Sequence, residues 1–378
     1  MYEKKLHIAV VGLRFGGEFP AIYREHPDVG LVSICDKDSQ LLDAFGNRFG
    51  FERRHTDFDS LLLDDSIDAI HIITPIHTHE ELAVMTLKAG KHCACTVPMS
   101  TTIEGLRAII SAQKESGKNY MMMETSVYTY WCLYAKELID RGELGGIQYL
   151  RGFHFQDMQG WPDYWNGLPP MHYATHAVAP LLYLSGSRAA KVHAFGTGRL
   201  PEGYEDNYKN PFSVETAIFQ LEKDNMTADV SRSLFCTARE YVEGFTIYGE
   251  KKSIEWSMED EEPYLFEFLP SVKAKYGQEI KTGRIPLIDY ASRLPEPIRK
   301  FTREHTILDP LNPHQSIKQG GGHHGSHPHL VHEFVRSIVE ERKPTIDAIV
   351  SANWTAPGIS AHLSAILNGA EVEIPSFE

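Results

Sequence analysis

The stretch Leu6-His7-Ile8-Ala9-Val10-Val11-Gly12-Leu13-Arg14-Phe15-Gly16-Gly17 decides the fold. Residues 6–12 are a short, apolar, β-branched run closed by glycine, the pattern of a parallel strand buried on both faces. A helical segment follows to about His26, and a second apolar run, Val29 to Cys35, ends on Asp36. Strand-like runs recur at Ala69–Ile73, Lys91–Cys95 and Tyr120–Met123, with helical patterns at Thr78–Ala89 and Thr102–Ser116 between them. Strands alternating with helices in this way predict an α/β, doubly wound parallel sheet over residues 1–124.

The glycines after the first strand fit a dinucleotide fingerprint, G-x-G-x-x-G, at two of three places. Gly12 and Gly17 occupy the first and third positions, and Arg14 replaces the second. Arg14 keeps its backbone N–H and adds a cation for phosphates, and the start of the following helix offers orphan N–H groups to an anion. Phe15 lies in the same turn and belongs with the cofactor-facing set. Asp36 ends the second strand 19 residues after Gly17. A carboxylate there accepts from a ribose 2′-OH and repels a 2′-phosphate, which predicts NAD. The alternative is a plain glycine turn in an α/β domain.

After Glu124 the texture changes. A helix is expected over Tyr130–Asp140. Alternating runs then follow at Ile147–Gln156, Lys191–Gly198, Ser213–Leu221, Met226–Leu234, Glu243–Tyr248 and Ser253–Met258. They predict an α+β domain over 125–378 with a large, mostly antiparallel open sheet and one polar face. One helix is expected to interrupt it near Met171–Leu184, and two more near Pro328–Glu340 and Asp347–Leu367. Residues 270–326, rich in Pro, Gly and charge, are the least legible.

The bulk numbers exclude some partners. Lys+Arg 37 against Asp+Glu 51 gives a net charge of −14, a field that repels nucleic-acid backbones. No run is apolar for the roughly 18 residues a membrane span needs. The strand pattern begins almost at once, leaving no room for a signal peptide, so the expected compartment is the cytoplasm. Five cysteines have no framework spacing. Cys93 and Cys95 alternate within one strand, where two buried apolar residues are expected rather than a redox pair.

Several longer motifs carry a family resemblance. Thr74-Pro75-Ile76-His77-Thr78-His79, Ala89-Gly90-Lys91-His92, Arg141-Gly142-Glu143-Leu144-Gly145 and Ile247-Tyr248-Gly249-Glu250-Lys251-Lys252-Ser253 occur in that order. They resemble the TP-x-x-x-H, AGKH, SGxLG and I-x-G-x-x-G segments of the glucose-fructose oxidoreductase / inositol dehydrogenase family. The resemblance implies an NAD-dependent sugar oxidoreductase and a homo-oligomer, dimer or tetramer. It places Thr74, Pro75, His77 and His79 beside the cofactor, with Thr96 and Pro98 after the fifth strand. That family usually has Glu-Lys-Pro where this chain has Thr96-Val97-Pro98. Val97 cannot hold or move a proton, so the family's lysine-based mechanism does not carry over.

Tyr173-Ala174-Thr175-His176 followed by Pro180, and Met122-Met123-Glu124-Thr125 with Tyr128, resemble the NAD-dependent α-N-acetylgalactosaminidase branch. That branch is implied to oxidise a sugar at C3, eliminate the aglycone and re-reduce. His176 matches the family's histidine, and His172 stands where its aspartate would be. Spacing of i, i+4 is expected to put both imidazoles on one helix face. His176 is the leading base because imidazole titrates near neutrality. Tyr173 is the second candidate, a phenol able to relay or share the proton; His172 is expected to orient either one or to hydrogen-bond the sugar, with a buried structural histidine as the alternative. Glu124 is expected at the carboxyl edge of the sheet, touching the nicotinamide end or serving as a capping carboxylate. Tyr128, Asp157, Trp161 and Trp165 are expected to touch substrate, aromatic faces suiting a sugar's apolar face. His323, His324, His327, His329 and His332 read as a loop feeding a helix, with His324 or His327 touching sugar hydroxyls and no metal. Net dehydrogenation, a closed redox glycosidase cycle and a non-catalytic sugar or NAD sensor are the three functions weighed.

Overall fold

The computed structural model describes residues 5–256, 262–273 and 275–378. Its contacts divide the chain into two compact units: Met1–Tyr128 with Asp289–Ala352, and Thr129–Ile288 with Asn353–Glu378. A single cut after residue 124 does not describe this division, because segment 289–352 returns to the first unit.

The first unit runs β1 (Leu6–Val11), α1 (Phe19–Glu25), β2 (Val29–Cys35), α2 (Ser39–Phe49), β3 (Arg54–His55), α3 (Phe58–Leu63), β4 (Ala69–Ile72), α4 (His79–Lys88), β5 (His92–Cys95), α5 (Ile103–Ser116) and β6 (Tyr120–Met122). The sheet is parallel, in the order β3-β2-β1-β4-β5-β6. That is the strand order of dinucleotide-binding domains, with its switch point between β1 and β4. All six residues of β1 are buried, and Ile8, Ala9 and Val10 are wholly so. Each large apolar side chain hidden this way stabilises the fold by about 1.5–3 kcal/mol, and Ile8→Ala would cost about 2–5 kcal/mol. Helix boundaries follow local chemistry. Asp38 caps α2 by accepting from the Leu41 N–H, and Thr102 caps α5 by accepting from Gly105. Gly50 and Gly117 close the same helices in the left-handed conformation.

The second unit starts with α6 (Tyr130–Asp140), β7 (Ile147–Phe155), α7 (Thr175–Ser185), β8 (Ala189–Thr197), α8 (Glu205–Tyr208), β9 (Val214–Leu221), β10 (Thr227–Ser233), β11 (Val242–Gly249), β12 (Lys252–Glu255), β13 (Tyr264–Lys273) and β14 (Gln278–Arg284). The first unit then resumes with β15 (His305–Leu308), β16 (Ser316–Gln319), α9 (Gly322–Gly325) and α10 (His327–Val339). The division falls inside α11 (Ala348–Ile366), and β17 (Val372–Glu373) ends the chain's sheet in the second unit.

Nine strands form the second sheet, β14-β13-β12-β11-β7-β10-β9-β8-β17. Only the β7–β10 pair is parallel among its described pairings. Alternation along β9 buries Glu215, Ala217, Phe219 and Leu221 and exposes Thr216, Ile218 and Gln220, which is the half-buried pattern the sequence predicted. Helix α7 lies on the buried face. A Cβ at Gly152 of β7 would stand 2.2 Å from the Ala177 carbonyl oxygen, so glycine permits that close approach. The expected strand Ser253–Met258 is β12, and Ser257 and Met258 lie outside the described residues, as do Met1–Lys4 at the start. The hairpins β13–β14 and β15–β16 occupy much of the stretch that was illegible.

The expected helix over Met171–Leu184 is corrected. Pro170–Tyr173 is a 3-10 turn, Ala174 breaks regularity at φ −102, ψ 4, and α7 begins at Thr175. Pro169 and Pro170 restrict the backbone before the turn, which delays the α-helix.

Candidate active site

Every expected cofactor residue follows the carboxyl end of a parallel strand. Gly12 follows β1, Asp36 follows β2, Thr74 follows β4, Thr96 follows β5 and Glu124 follows β6, the edge where open α/β sheets bind ligands. Gly12 sits at φ +92, and a Cβ there would come 2.2 Å from the Ile73 carbonyl oxygen. Only glycine serves, for both strain and space. Gly17 lets Phe45 of α2 come within 3.1 Å of its missing Cβ, the close packing expected of a third fingerprint glycine. The turn continues as a 3-10 segment, Gly16–Glu18, before α1. Asp36 accepts from the Leu13 N–H and the Asp38 N–H, both at 2.9 Å, one on each oxygen. It fixes the loop and retains lone pairs for a ribose hydroxyl. Arg14 instead turns to Asp38 at 3.0 Å, with both side chains largely in solvent. Phe15 is 60% exposed. The strand order, the glycine turn and the Asp36 carboxylate fit NAD.

The loops after β4 and β5 are tied together by His79. Its Nδ1 lies 2.8 Å from the Pro98 carbonyl and its Nε2 lies 2.9 Å from the Thr74 carbonyl and 3.3 Å from the Thr96 hydroxyl. Burial lowers the His79 pKa against the pull of those carbonyls. His79 is thus a buried clamp shaping the edge. Thr74 bonds Thr78, which in turn donates to the Pro75 carbonyl. His77 is exposed. Glu124 is fully buried and accepts from the Ser126 N–H. Cys93 and Cys95 are buried thiols in β5 whose pKa burial raises, so they behave as core residues.

The histidines at 323–332 scatter over different partners within the first unit. His327 is buried, its Nδ1 3.0 Å from the Glu18 carboxylate in the nucleotide turn, which differs from an imidazole turned to sugar hydroxyls. His327 holds the Glu18 carboxyl below its usual range, while burial lowers the His327 pKa. His329 stacks on Tyr128 at 6.4 Å, and His332 meets His26 at 3.0 Å. His323 and His324 adopt positive φ in the turn before α10, at 43 and 51. Among the described residues no three His, Cys, Asp or Glu side chains gather as metal ligands would.

The second unit holds the His–Tyr cluster. Because the helix starts late, His172 and His176 do not share a helix face. His172 turns edge-on to His362 of α11, ring centroids 5.0 Å apart, and burial beside that imidazole pushes its pKa down to about 3. His172 is thus neutral near pH 7. Tyr173 and His176 do meet, phenol oxygen to Nε2 at 3.4 Å. The Nδ1 of His176 faces Glu243 of β11 at 3.7 Å, both side chains almost wholly buried. His154 of β7 lies edge-on to His176 at 5.2 Å and to Tyr241 at 5.0 Å.

Arg232 of β10 underlies this group. It is fully buried, and it donates to the carbonyls of Tyr173, His154 and Ser233 and to Gln156 Oε1. Its guanidinium stands 5.3 Å from the Tyr173 ring centroid. Burial pulls its pKa down to about 10, so it stays charged at neutral pH. A second buried carboxylate, Glu215 of β9, accepts from the Met171 N–H at 2.8 Å and meets His362 Nδ1 at 2.7 Å. It pins the 170–173 turn to α11. Trp165 packs edge-on to Tyr173 at 5.1 Å and to Trp161 at 6.2 Å. Asp157 is exposed and accepts from Gln159 within its own turn.

Sequence reasoning missed Glu243, His154, Arg232 and Glu215. Each is a charged or imidazole side chain within a strand, and Arg232 stands in the same strand phase as Val230 and Leu234. A polar residue in a buried strand phase was the available signal.

Residues 6–124 match the family model "Oxidoreductase family, NAD-binding Rossmann fold", and residues 132–255 match "GFO/IDH/MocA C-terminal domain", together well over half the chain. A levoglucosan dehydrogenase of Pseudarthrobacter phenanthrenivorans is 32% identical over 130 residues, a stretch covering 34% of this chain and 33% of that protein. A glycosyl hydrolase family 109 protein of Porphyromonas gingivalis is 21% identical across 98% of this chain and 84% of its own length. Among solved structures, a levoglucosan dehydrogenase with NADH and L-sorbose superposes with a TM-score of 0.78 at 22% identity, covering 99% of this chain and 100% of that one. A scyllo-inositol dehydrogenase of Lactobacillus casei with NAD(H) and scyllo-inositol gives 0.70 at 19%, covering 98% and 99%. At these identities the structural likeness speaks for the fold.

Proposed function

The chain belongs to the GFO/IDH/MocA oxidoreductase family, and we propose that it oxidises a hydroxyl, at C3, of a sugar or glycoside to a keto-sugar. The observation that carries this reading is the Glu243–His176–Tyr173 series, with carboxylate to Nδ1 at 3.7 Å and Nε2 to phenol at 3.4 Å. NAD, when bound, accepts the hydride of the reacting C–H. Tyr173 receives the hydroxyl proton and shares it with His176 Nε2. Glu243 favours the imidazolium so formed and fixes the ring's orientation, as a buried carboxylate does for a general-base histidine. His172 and Glu215 hold the turn that carries Tyr173.

This arrangement needs no lysine, which agrees with Val97 at the family's lysine position. The same absence favours a second reading, a redox-neutral glycosidase that oxidises, eliminates and re-reduces. The full-length similarity to a glycosyl hydrolase family 109 protein supports it. Incubation with a glycoside panel, following absorbance at 340 nm and aglycone release together, tests both. Net NADH supports dehydrogenation; aglycone release without net NADH supports the closed cycle. Neither signal with any sugar or glycoside overturns both.

We assign NAD binding to the first unit's carboxyl edge and substrate binding to the second unit, and infer a homo-oligomer acting in the cytoplasm on small molecules. Phe195 and Ile218 stand exposed on one face of the second sheet, at 63% and 55%, an apolar surface suited to self-association. Light scattering that gave a monomer at micromolar concentration would remove that inference. No helix among the described residues is long and apolar enough to cross a membrane.

A further inference from the structure

Trp161, Tyr164, Trp165 and Tyr173 form one continuous aromatic corner of the second unit. Trp161 meets Trp165 edge-on at 6.2 Å, Tyr164 leans on Trp165 at 5.6 Å, and Trp165 meets Tyr173 at 5.1 Å. Exposure grades along it: Trp165 is 8% exposed and Trp161 38%. The corner therefore begins at the proton-carrying Tyr173 and ends in solvent. Each step is an ordinary ring-to-ring contact of about 4.5–7 Å. Trp165 contacts both Tyr173 and Trp161, so the corner offers aromatic surface beyond the reacting end.

The corner is also built rigidly. Tyr208 donates to the Tyr164 carbonyl at 2.7 Å, Asn207 to the Asn166 carbonyl at 3.1 Å, and Asn210 to the Gly167 carbonyl at 3.3 Å. Three side chains from another segment pin one short turn, which spends interactions on holding the tryptophans still. The buried Trp165 indole N–H meets no acceptor among the described residues. A buried donor without a partner is destabilising unless something else supplies the acceptor.

We propose that Trp161 and Trp165 form a subsite for the second ring of a glycoside, an aryl aglycone or a neighbouring sugar, so that two-ring glycosides are the substrates and free monosaccharides are not. This rests on the reading of Tyr173 and His176 as the reacting end. The apolar C–H or aromatic face of the second ring lies on Trp161, and an oxygen of the ligand accepts from Trp165.

Calorimetry on the full chain with saturating NAD tests this, using methyl, p-nitrophenyl and disaccharide ligands in matched α- and β-gluco, galacto and N-acetylgalactosamine series. The expected result is that a two-ring ligand binds about ten-fold tighter than its methyl glycoside. Trp161→Ala should erase that ratio while leaving methyl-glycoside binding unchanged, and Trp165→Phe should weaken the two-ring ligand alone. The p-nitrophenyl and disaccharide arms tell an aryl from a sugar second ring. Equal binding of methyl and two-ring ligands overturns the subsite but leaves the proposed function standing, as does a Trp161→Ala loss shared by both. Binding of no ligand in any series overturns the function and the subsite together. Trp161 is partly exposed, so its variant should keep the parent circular dichroism, which the same samples check.

Discussion

The nucleotide turn and the His–Tyr cluster are built on opposite plans. The turn draws on consecutive residues: Gly12, Leu13 and Gly17 lie on one strand-turn-helix, locked by a single distant carboxylate, Asp36. Its working groups are backbone N–H groups, and its side chains matter chiefly by being absent. The cluster draws on β7, the 170–173 turn, α7, β10 and β11 for His154, Tyr173, His176, Arg232 and Glu243. Its working groups are buried, charged or ionisable side chains, each costly to bury alone. Phosphate recognition can use the dipoles every chain owns, whereas proton transfer needs particular functional groups at particular distances.

This contrast breaks first at His176. His176→Ala should lower kcat about 1,000-fold, with NADH affinity, read by fluorescence titration, unchanged. Affinity and turnover falling together would deny that the two regions do separate jobs. Gly12→Ala should do the reverse at the level of binding. Its Cβ meets the Ile73 carbonyl, and the positive φ adds about 1–3 kcal/mol of strain; NADH affinity should fall about 100-fold. Near-normal affinity would mean the turn does not cradle the cofactor.

Glu243→Gln keeps the shape and removes the charge beside His176. It should cost about 30-fold in kcat and move the acidic limb of the pH–rate profile to lower pH, since losing a carboxylate disfavours the imidazolium. An equal loss at every pH would mark Glu243 as merely structural. Asp36→Asn should weaken NADH about ten-fold and narrow the preference over NADPH, because the anion that repels a 2′-phosphate is gone. Unchanged discrimination between the two cofactors would separate Asp36 from the ribose.

The smallest expected effect is on stability in mild acid. Burial pushes His26 of the first unit down to about 4. Below pH 6.5 the unfolded chain takes up a proton there and the folded chain does not. Stability is therefore full above pH 6.5 and falls as the pH drops toward 4, by about 2 kcal/mol at pH 5 from His26 alone. Thermal midpoints measured from pH 7.5 to 5 check the sign; a midpoint that rose on acidification would refute it.

How much was legible differs between the two plans for the same reason. The parallel sheet, the glycine turn, Asp36 and the edge positions of Thr74, Thr96 and Glu124 were readable because their signals are contiguous. Tyr173 and His176 were readable as a short motif. The geometry that relates His172 to them was not. An i, i+4 spacing assumes a helix, and Pro169-Pro170 turned that segment into a 3-10 turn that sends His172 to His362. His79 looked like a cofactor contact and is a buried clamp, because its sequence signature cannot tell a ring facing a ligand from one facing two carbonyls.

The amino-acid order alone carries the architecture and the cofactor class. Periodicity specifies which faces are buried, and a few glycines and one acid specify a phosphate-binding turn, all through local interactions. Which side chains gather around Tyr173 and His176 depends on the tertiary structure. Strand pairing brings Arg232 beside His154, and β11 beside β7, putting Glu243 against His176. Arg232 and Glu243 lie 56 to 70 positions from Tyr173 and His176, and no local rule measures the distance between them. What fixes that distance is hydrogen-bonded register in the nine-stranded sheet, where a slip of one residue would turn Glu243 and Arg232 to the opposite face.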